Sequence, residues 1–141
     1  GYHIRLNKCK AAYVYGDKEK IKQVLSNFVS NAIKYCGEDR VVIVEVKRIG
    51  KKVRVDVIDH GDGIASDELS HVWERYYRTS ANRNRSIEGS GLGLSIVKGI
   101  LVLHNANYGV KSKVAQGSDF WFEMDTVKKP TDTECKNKTH G

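Results

Sequence analysis

Polar side chains recur at helical spacing along residues 21–35. On a helical wheel the apolar residues of this segment, Ile21 and Phe28 among them, fall on one face. A stripe beside that face carries two amides, an ammonium and a phenol: Asn27, Asn31, Lys34 and Tyr35. Amide oxygens can bind a hard cation such as Mg²⁺, and a lysine can bind phosphate. The stripe is therefore either one wall of a polar pocket or an ordinary solvated helix flank.

A second cluster combines a carboxylate with glycines at the end of a strand-like segment. Asp59 ends the segment, and Gly61 and Gly63 follow on either side of Asp62. Glycines allow positive φ angles and the close approach of backbone to a flat ligand. A carboxylate there can accept a hydrogen bond from an exocyclic amine such as that of adenine. An ordinary Asp/Gly turn has the same composition, so the cluster alone leaves both interpretations open.

A third cluster is rich in glycine and precedes an apolar helical pattern: Gly89, Ser90, Gly91, Leu92, Gly93 and Leu94. The N-terminus of a helix binds anions through free N–H groups and the helix dipole, and glycines let a phosphate approach. The dinucleotide fingerprint requires a glycine where Leu94 stands, and neither cluster contains the Gly-Lys-Ser/Thr of a P-loop. The segment is either a phosphate-binding loop of another kind or a glycine-rich helix start.

Four arginines lie in a polar segment between the two glycine clusters: Arg75, Arg78, Arg83 and Arg85. Guanidinium groups bind phosphate in bidentate geometry, so the segment suits a lid over a polyphosphate. A solvated basic loop is one alternative. A nucleic-acid-binding surface is another, although the aromatic side chains there are limited to Tyr76 and Tyr77.

Composition narrows the class of protein. The 141 residues are 40% hydrophobic and 29% charged, with a net charge of +7, which excludes a disordered chain and a collagen-like repeat. The longest apolar run, residues 11–15, is far shorter than the roughly 20 residues of a membrane-spanning helix. Three cysteines without a CxxC pair predict a reducing, cytoplasmic setting rather than structural disulfides.

Hydrophobic periodicity predicts the order of the elements. The predicted strands are 11–15, 41–49, 53–57, 110–114 and 120–124. The predicted helices follow the N-cap Asp17, follow Ser66, and span 92–103. This order predicts an α+β fold: a two-layer α/β sandwich with a mixed, mostly antiparallel sheet and helices on one face. We expect residues 1–10 to be the remnant of an upstream linker, 11–127 to form the domain, and 128–141 to be a disordered polar tail.

Taken in order, four segments resemble the ATP-binding domain of sensor histidine kinases, which belongs to the Bergerat-fold ATPase superfamily. Residues 27–35 are similar to the N box of that domain, and residues 59–64 are similar to its D-x-G-x-G box. Residues 73–78 resemble its F box, and residues 89–94 match its second glycine box. The resemblance covers residues 11–127 and implies the Bergerat ATP-binding fold.

The resemblance also implies roles for individual residues. It implies that Asn31 coordinates Mg²⁺ and that Asn27 and Lys34 lie near the phosphates of ATP. Asp59 is implied to accept the adenine amino group, and Arg78 to reach the γ-phosphate. The implied catalytic residues are Asn27, Lys34 and Arg78. The implied nucleotide contacts are Asn27, Asn31, Lys34, Tyr35, Asp59, Gly61, Gly63, Ile64, Tyr77, Arg78, Gly89, Ser90, Gly91, Leu92, Gly93, Leu94 and Ser118.

Some positions depart from the family pattern. Trp73 and Tyr76 stand where the F box usually has phenylalanine, which retains aromatic packing. Asp119 stands where a second small hydroxyl residue usually follows Ser118, and we expect this change to alter the hydrogen bonds on the adenine side. Asn105 replaces a glycine, which we expect to affect a turn rather than the site.

The function that the resemblance implies is that of a protein-histidine kinase with ATP and Mg²⁺ as cofactors. The γ-phosphoryl group would pass to a histidine on a separate dimerisation domain, absent here, and then to an aspartate of a response-regulator receiver domain. We expect the isolated domain to be monomeric, inactive in autophosphorylation and without affinity for nucleic acid. We expect its parent to be a membrane-anchored homodimer with this portion in the cytoplasm.

Three alternatives remain open. Two use the same fold: a serine kinase of the anti-sigma type and a slow hydrolytic ATPase. The third is a basic nucleic-acid-binding module, whose affinity would fall steeply with salt and would not depend on ATP.

Overall fold

The computed structural model describes residues 3–8, 12–75 and 93–128. In chain order the elements are β1 (His3–Asn7), β2 (Tyr13–Val14), α1 (Lys18–Tyr35), β3 (Val41–Ile49), β4 (Lys52–Asp59), α2 (Gly93–Leu103), β5 (Asn107–Lys113) and β6 (Gly117–Val127). Strand β1 was not predicted from the sequence, and the predicted tail lies outside the described residues beyond Lys128. Neither α1 nor α2 is long and apolar enough to cross a membrane.

The strands form one sheet with the predicted hairpin of β3 and β4 at its centre. β-Branched residues dominate both strands, and Gly50, with φ +59°, turns the chain between them. β6 pairs with β4 and also with β5 and β2, all in antiparallel orientation. Only β1, which pairs with β3, adds a parallel strand within the described residues. The sheet is therefore mixed and mostly antiparallel, as predicted.

Helix α1 begins at a side-chain cap and presents an apolar stripe to the sheet. Asp17 precedes the helix in an extended conformation, and its Oδ1 accepts a hydrogen bond from the Lys20 N–H at 3.1 Å. The predicted N-cap is thus confirmed, and it satisfies one of the free N–H groups of the first turn. The buried side chains of α1 recur at every fourth residue: Val24, Phe28 and Ala32.

Phe28 lies at the centre of the core, between the helices and the sheet. It is fully buried, and its ring centroid lies 5.5 Å from that of Phe120 and 6.2 Å from those of Phe122 and Trp73. Helix α2 adds Val97, Ile100 and Leu101. The strands add Val42, Val44, Val57, Phe120, Phe122 and Met124, which alternation places on one face of the sheet. Both helices cover that face, which confirms the predicted α+β sandwich.

Residues 66–74 form successive turns, so the helix predicted after Ser66 is wrong. The N–H groups of Glu68, His71 and Glu74 each donate at 2.9 Å to the carbonyl three residues earlier. This spacing closes separate tight turns, whereas an α-helix requires donation to the fourth preceding residue. The apolar pattern nevertheless reaches the core, because Val72 is buried and Trp73 packs against the core cluster.

His104 connects the end of α2 to the start of α1. Its Nδ1 lies 2.8 Å from the Ile100 carbonyl oxygen, and its Nε2 accepts a hydrogen bond from the Asp17 N–H at 3.0 Å. A neutral imidazole with its proton on Nδ1 satisfies both contacts, because a carbonyl only accepts and an N–H only donates. The next residue, Asn105, has φ +54°, which glycine adopts without strain. The position to which the resemblance assigns a glycine thus lies in a turn after α2.

Candidate functional site

Asp59 ends β4 with its carboxylate at the boundary of the core. Only 4% of the residue is exposed, and Oδ1 accepts a hydrogen bond from the Gly61 N–H at 2.9 Å. Burial raises the pKa of this carboxyl to about 6, while the Gly61 N–H, the nearby His60 and the Ser118 N–H oppose the rise. At neutral pH the group is therefore mostly ionised and acts as a hydrogen-bond acceptor.

The register of the sheet places two hydroxyls beside this carboxylate. Asp59 on β4 pairs with Ser118 on β6, and Ser118 pairs with Ser112 on β5. Residues paired directly across strands share a face, and this is the face that the helices cover. Asp59, Ser118 and Ser112 thus form a polar row at one end of the apolar core.

Two glycines fix the loop that follows Asp59. A Cβ on Gly61 would lie 1.7 Å from the carbonyl oxygen of Tyr35, the last residue of α1. Gly63 has φ +74°, and a Cβ there would lie 2.0 Å from the Lys113 carbonyl oxygen at the end of β5. Because Gly61 and Gly63 have no side chains, the loop packs directly between α1 and β5. This packing holds Asp59 next to the helix.

The polar stripe of α1 reaches from this loop to the start of α2. The Asn27 side-chain amide donates to the carbonyl oxygen of Gly93, the first residue of α2, over a long distance of 3.5 Å. Two turns later the Tyr35 carbonyl lies against Gly61. Asn31 is half-buried one turn from each of these residues. The amides of α1, the loop after β4 and the start of α2 therefore border one region of the molecule.

Ser112 is a polar residue of this region that the sequence analysis missed. Its Oγ donates to the Gly117 carbonyl at 2.7 Å, accepts from the Ile64 N–H at 2.8 Å and lies 2.8 Å from the Ser118 Oγ. It thereby connects the loop after β4 to the start of β6. The available signal was the register of the β5–β6 hairpin, which places Ser112 opposite Ser118.

A second contact holds the loop from its exposed side. Nδ1 of His60 lies 2.6 Å from Oδ2 of Asp39, in the connection between α1 and β3. The hydrogen bond from His60 and one from the Val41 N–H lower the pKa of the Asp39 carboxyl. This pair joins the loop to the same end of α1 that Gly61 contacts.

Asp119 lies on the opposite face of the sheet, so the expectation that it alters the adenine-side hydrogen bonds is wrong. Its neighbours Ser118 and Phe120 face the helices, and alternation turns Asp119 away from them. Burial, together with a hydrogen bond and the charge of Asp56, raises the pKa of the Asp119 carboxyl to about 7. Its environment is a carboxyl pair on the outer face, where Arg54 also contacts Asp56 at 3.1 Å.

The remaining predicted nucleotide contacts are exposed or half-buried residues of α1 and α2, or they lie outside the described residues. Lys34 is exposed in the last turn of α1, where its charge also favours the negative end of the helix dipole. In the first turn of α2, Leu94 is half-buried and Gly93 is exposed. Six predicted contacts lie outside the described residues: Tyr77, Arg78, Gly89, Ser90, Gly91 and Leu92.

The groups that border this region suit a purine nucleotide and a hard cation. The buried Asp59 carboxylate accepts hydrogen bonds, and the start of α2 offers N–H groups to anions. Within the described ranges, no group of three or more His, Cys, Asp or Glu side chains could hold a metal ion.

Comparison with known proteins places the chain in a family. The family model of histidine kinase-, DNA gyrase B-, and HSP90-like ATPases matches residues 16–128. The chain belongs to this family. The match includes α1, the glycine loop after β4, α2 and the β5–β6 hairpin, which are the elements that border the candidate site.

Curated relatives in this family are sensor kinases. The chain is 39% identical over 107 residues to the sensor-like histidine kinase SenX3 of Mycobacterium bovis and 37% identical over 114 residues to the sensor histidine kinase CusS of Escherichia coli. It is 32% identical over 121 residues to the phosphate regulon sensor protein PhoR of Haemophilus influenzae. These alignments cover 76%, 81% and 86% of this chain but 26%, 23% and 28% of the relatives. The chain thus spans about a quarter of the length of these relatives.

Solved structures agree with the fold. Full-length ShkA in complex with AMPPNP is 28% identical, with a TM-score of 0.78 over 93% of this chain and 27% of ShkA. The catalytic domain of the histidine kinase ThkA is 28% identical, with a TM-score of 0.73 over 88% of this chain and 78% of that domain. The resemblance to the ATP-binding domain of sensor histidine kinases and the predicted fold class are both confirmed.

Proposed function

We propose that this chain binds Mg²⁺ and ATP and is the ATP-binding catalytic part of a protein-histidine kinase. One observation carries the proposal: helix α1 contacts the start of α2 through the Asn27 side chain and the loop after Asp59 through the Tyr35 carbonyl. Membership in an ATPase family supports ATP as the ligand. The names of the relatives support histidine as the phosphoryl acceptor.

Asp59 is the proposed acceptor for the exocyclic amine of adenine. Its carboxylate is ionised at neutral pH despite its burial, and a hydrogen bond to a charged acceptor is stronger than a neutral one. The base would lie against the backbone of Gly61 and Gly63, with Ile64 and Tyr35 at its edges. Ser118 contributes a hydroxyl next to Asp59.

The phosphates are proposed to lie toward the start of α2, where free N–H groups favour anions. Asn27 and Lys34 are proposed to lie near them and Asn31 to bind Mg²⁺, which would neutralise phosphate charge. The proposed contacts of Arg78 with the γ-phosphate, of Tyr77 with the nucleotide, and of residues 89–92 with the phosphates belong to the same proposal, outside the described residues.

In the proposed reaction a histidine nitrogen of a separate dimerisation domain forms a bond to the γ-phosphorus, the bond to the β,γ-bridging oxygen breaks, and ADP leaves. Such a transfer depends on positioning and charge neutralisation rather than on covalent chemistry by the protein. Asn27 carries a neutral amide, which cannot remove a proton from water as a carboxylate base can. The chain alone should therefore hydrolyse ATP slowly and should not autophosphorylate.

The proposed partners are the dimerisation and phosphoacceptor domain of the same parent and the receiver domain of a response regulator. The names of sensor kinases among the relatives support both. We also propose a cytoplasmic location, as part of a membrane-anchored homodimeric parent. The free thiol of Cys36 fits the reducing environment of the cytoplasm.

Labelled ATP tests the proposal against its alternatives. The chain is incubated with Mg²⁺ and γ-labelled ATP, alone and with the separately prepared dimerisation domain of its parent. We expect little ADP from the chain alone and an acid-labile, alkali-stable phosphate on the added domain. Rapid ADP formation by the chain alone would support a hydrolytic ATPase instead, and acid-stable phosphate on a partner protein would support a serine kinase.

A further inference from the structure

We propose that Ser112 orients the Ser118 hydroxyl so that the site offers only acceptors to the 6-position of the purine, which selects a 6-aminopurine over a 6-oxopurine. This inference rests on the proposed function and adds a specificity-determining residue to it. Ser112 itself does not contact the proposed ligand. It acts through Ser118.

The contacts of Ser112 use its full hydrogen-bonding capacity. A serine hydroxyl has one proton to donate and two lone pairs that accept. Around the Ser112 Oγ lie the Gly117 carbonyl oxygen at 2.7 Å, the Ile64 N–H nitrogen at 2.8 Å and the Ser118 Oγ at 2.8 Å. One donor and two acceptor positions are thus matched by three partners.

The chemistry of two partners decides the direction of the third bond. The Gly117 carbonyl can only accept, so it takes the single proton of Ser112. The Ile64 N–H can only donate, so it occupies one lone pair. The remaining lone pair faces Ser118, and the Ser118 hydroxyl must therefore donate its own proton to Ser112.

A donated proton leaves Ser118 with acceptors only. Its two lone pairs remain, and the residue pairs with Asp59 across β4 and β6. The ionised carboxylate of Asp59 is also an acceptor only. A 6-amino group donates protons to such a surface, whereas a 6-oxo group would bring a further lone pair against it and leave buried acceptors without partners.

Removing the Ser112 hydroxyl should allow Ser118 to donate a hydrogen bond to the base. In Ser112→Ala the Ser118 proton no longer has its acceptor on β5 and can turn toward a 6-oxo group. The Ile64 N–H also loses its acceptor, which should make the loop more mobile and lower the affinity for all nucleotides equally. The measurement that isolates the orientation of the Ser118 hydroxyl is therefore the ratio of affinities for two nucleotides that differ only at the 6-position of the base.

The experiment titrates the chain with ATP and with inosine triphosphate, in Mg²⁺, by calorimetry. We expect the wild-type chain to prefer ATP and the ATP-to-ITP affinity ratio of Ser112→Ala to fall by about tenfold, the effect of one hydrogen bond to a charged or buried group. Ser112→Thr keeps a hydroxyl and should keep the ATP-to-ITP affinity ratio of the wild type. Lys111→Ala, on the same strand but the opposite face, is the matched control and should leave it unchanged.

Each other outcome has a defined meaning. An unchanged ratio in Ser112→Ala, with both affinities lowered equally, would overturn the inference and leave Ser112 as an anchor of the loop. If thermal denaturation shows that Ser112→Ala does not fold, Ser118→Ala replaces it, and an unchanged ratio there overturns the inference as well. Failure of the wild-type chain to bind either nucleotide would instead contradict the proposed function itself.

Discussion

Gly61 and Tyr35 make a backbone contact so close that a Cβ on Gly61 would lie 1.7 Å from the Tyr35 carbonyl oxygen. The last turn of α1 and the loop after β4 are thus packed against each other without an intervening side chain. Because a carbonyl of the main chain cannot rotate away as a side chain can, the distance between the loop and α1 depends on this glycine.

Gly61→Ala should therefore displace the loop and weaken nucleotide binding. We expect at least about a tenfold loss of ATP affinity and a decrease of about 1–3 kcal/mol in the free energy of unfolding, as for other overpacked sites. Calorimetry and denaturant unfolding measure the two effects. Gly99→Ala in α2 is the control, because a Cβ there meets nothing within 4 Å. It should raise stability by up to about 1 kcal/mol without changing affinity. Unchanged stability of Gly61→Ala would contradict the described packing, and unchanged binding would contradict the place of the nucleotide beside this loop.

Asp59 should give stability and affinity opposite dependences on pH. Its folded pKa of about 6 lies above the ordinary 3.8, so the folded state holds a proton that the unfolded state has released between about pH 4 and 6. The free energy of unfolding of the ligand-free chain should fall as pH rises through that window, by on the order of 3 kcal/mol. ATP affinity should rise through the same window, because the ionised carboxylate is the better acceptor.

The control for the pH experiment is Asp59→Asn, which cannot titrate. Unfolding curves and ATP titrations at several pH values should show smaller slopes for this variant in both measurements. Equal slopes in the variant and the wild type would show that another group is responsible.

Asp119→Asn should stabilise the chain without changing nucleotide binding. The folded pKa of Asp119 is raised to about 7, so stability is lost as pH rises from about 4 to 7, and removing the charge should recover on the order of 1 kcal/mol at pH 8. Denaturant unfolding at pH 8 measures the gain. Asp125→Asn, which removes an exposed partner of Lys52, is the matched control. Any change of ATP affinity in Asp119→Asn would conflict with its place on the outer face.

His104→Ala should destabilise the junction between the two helices. It removes two hydrogen bonds, the one from the exposed Asp17 N–H and the one to the Ile100 carbonyl, which together contribute about 1–3 kcal/mol. Thermal or denaturant unfolding measures the loss. His71→Ala serves as the control, because the pair of His71 with Glu74 is exposed and should contribute less than about 1 kcal/mol. Equal effects of the two substitutions would contradict a stabilising role of His104 between α1 and α2.

Local signals predicted much of the fold. The cap at Asp17, the apolar stripe of α1 and the β-branched run of β3 depend on neighbours in the sequence, and the structure agrees with them. Strand β1 was missed because its five residues are all exposed and its pairing with β3 is distant in sequence. The turns at 66–74 were mistaken for a helix because side-chain periodicity alone does not distinguish three-residue from four-residue hydrogen bonding.

The candidate site shows the same limit. The residues of α1 and the glycines were found from type and spacing, whereas the role of Ser112 depends on strand register, which links distant segments. The face of Asp119 was missed because the predicted strand began at residue 120, so the alternation that turns Asp119 away from Ser118 and Phe120 was not expected there.

Calorimetric titration of the wild-type chain, Asn31→Ala and Asp59→Ala with ATP and Mg²⁺ tests whether α1 and the end of β4 form one nucleotide site. Asn31 lies on the amide stripe of α1 and Asp59 at the end of β4, so the two variants test opposite sides of the same proposed site. We predict that the wild-type chain binds one ATP and that each variant, while folded, binds at least about tenfold more weakly. Wild-type affinity in both variants would show that the nucleotide does not bind between these two elements.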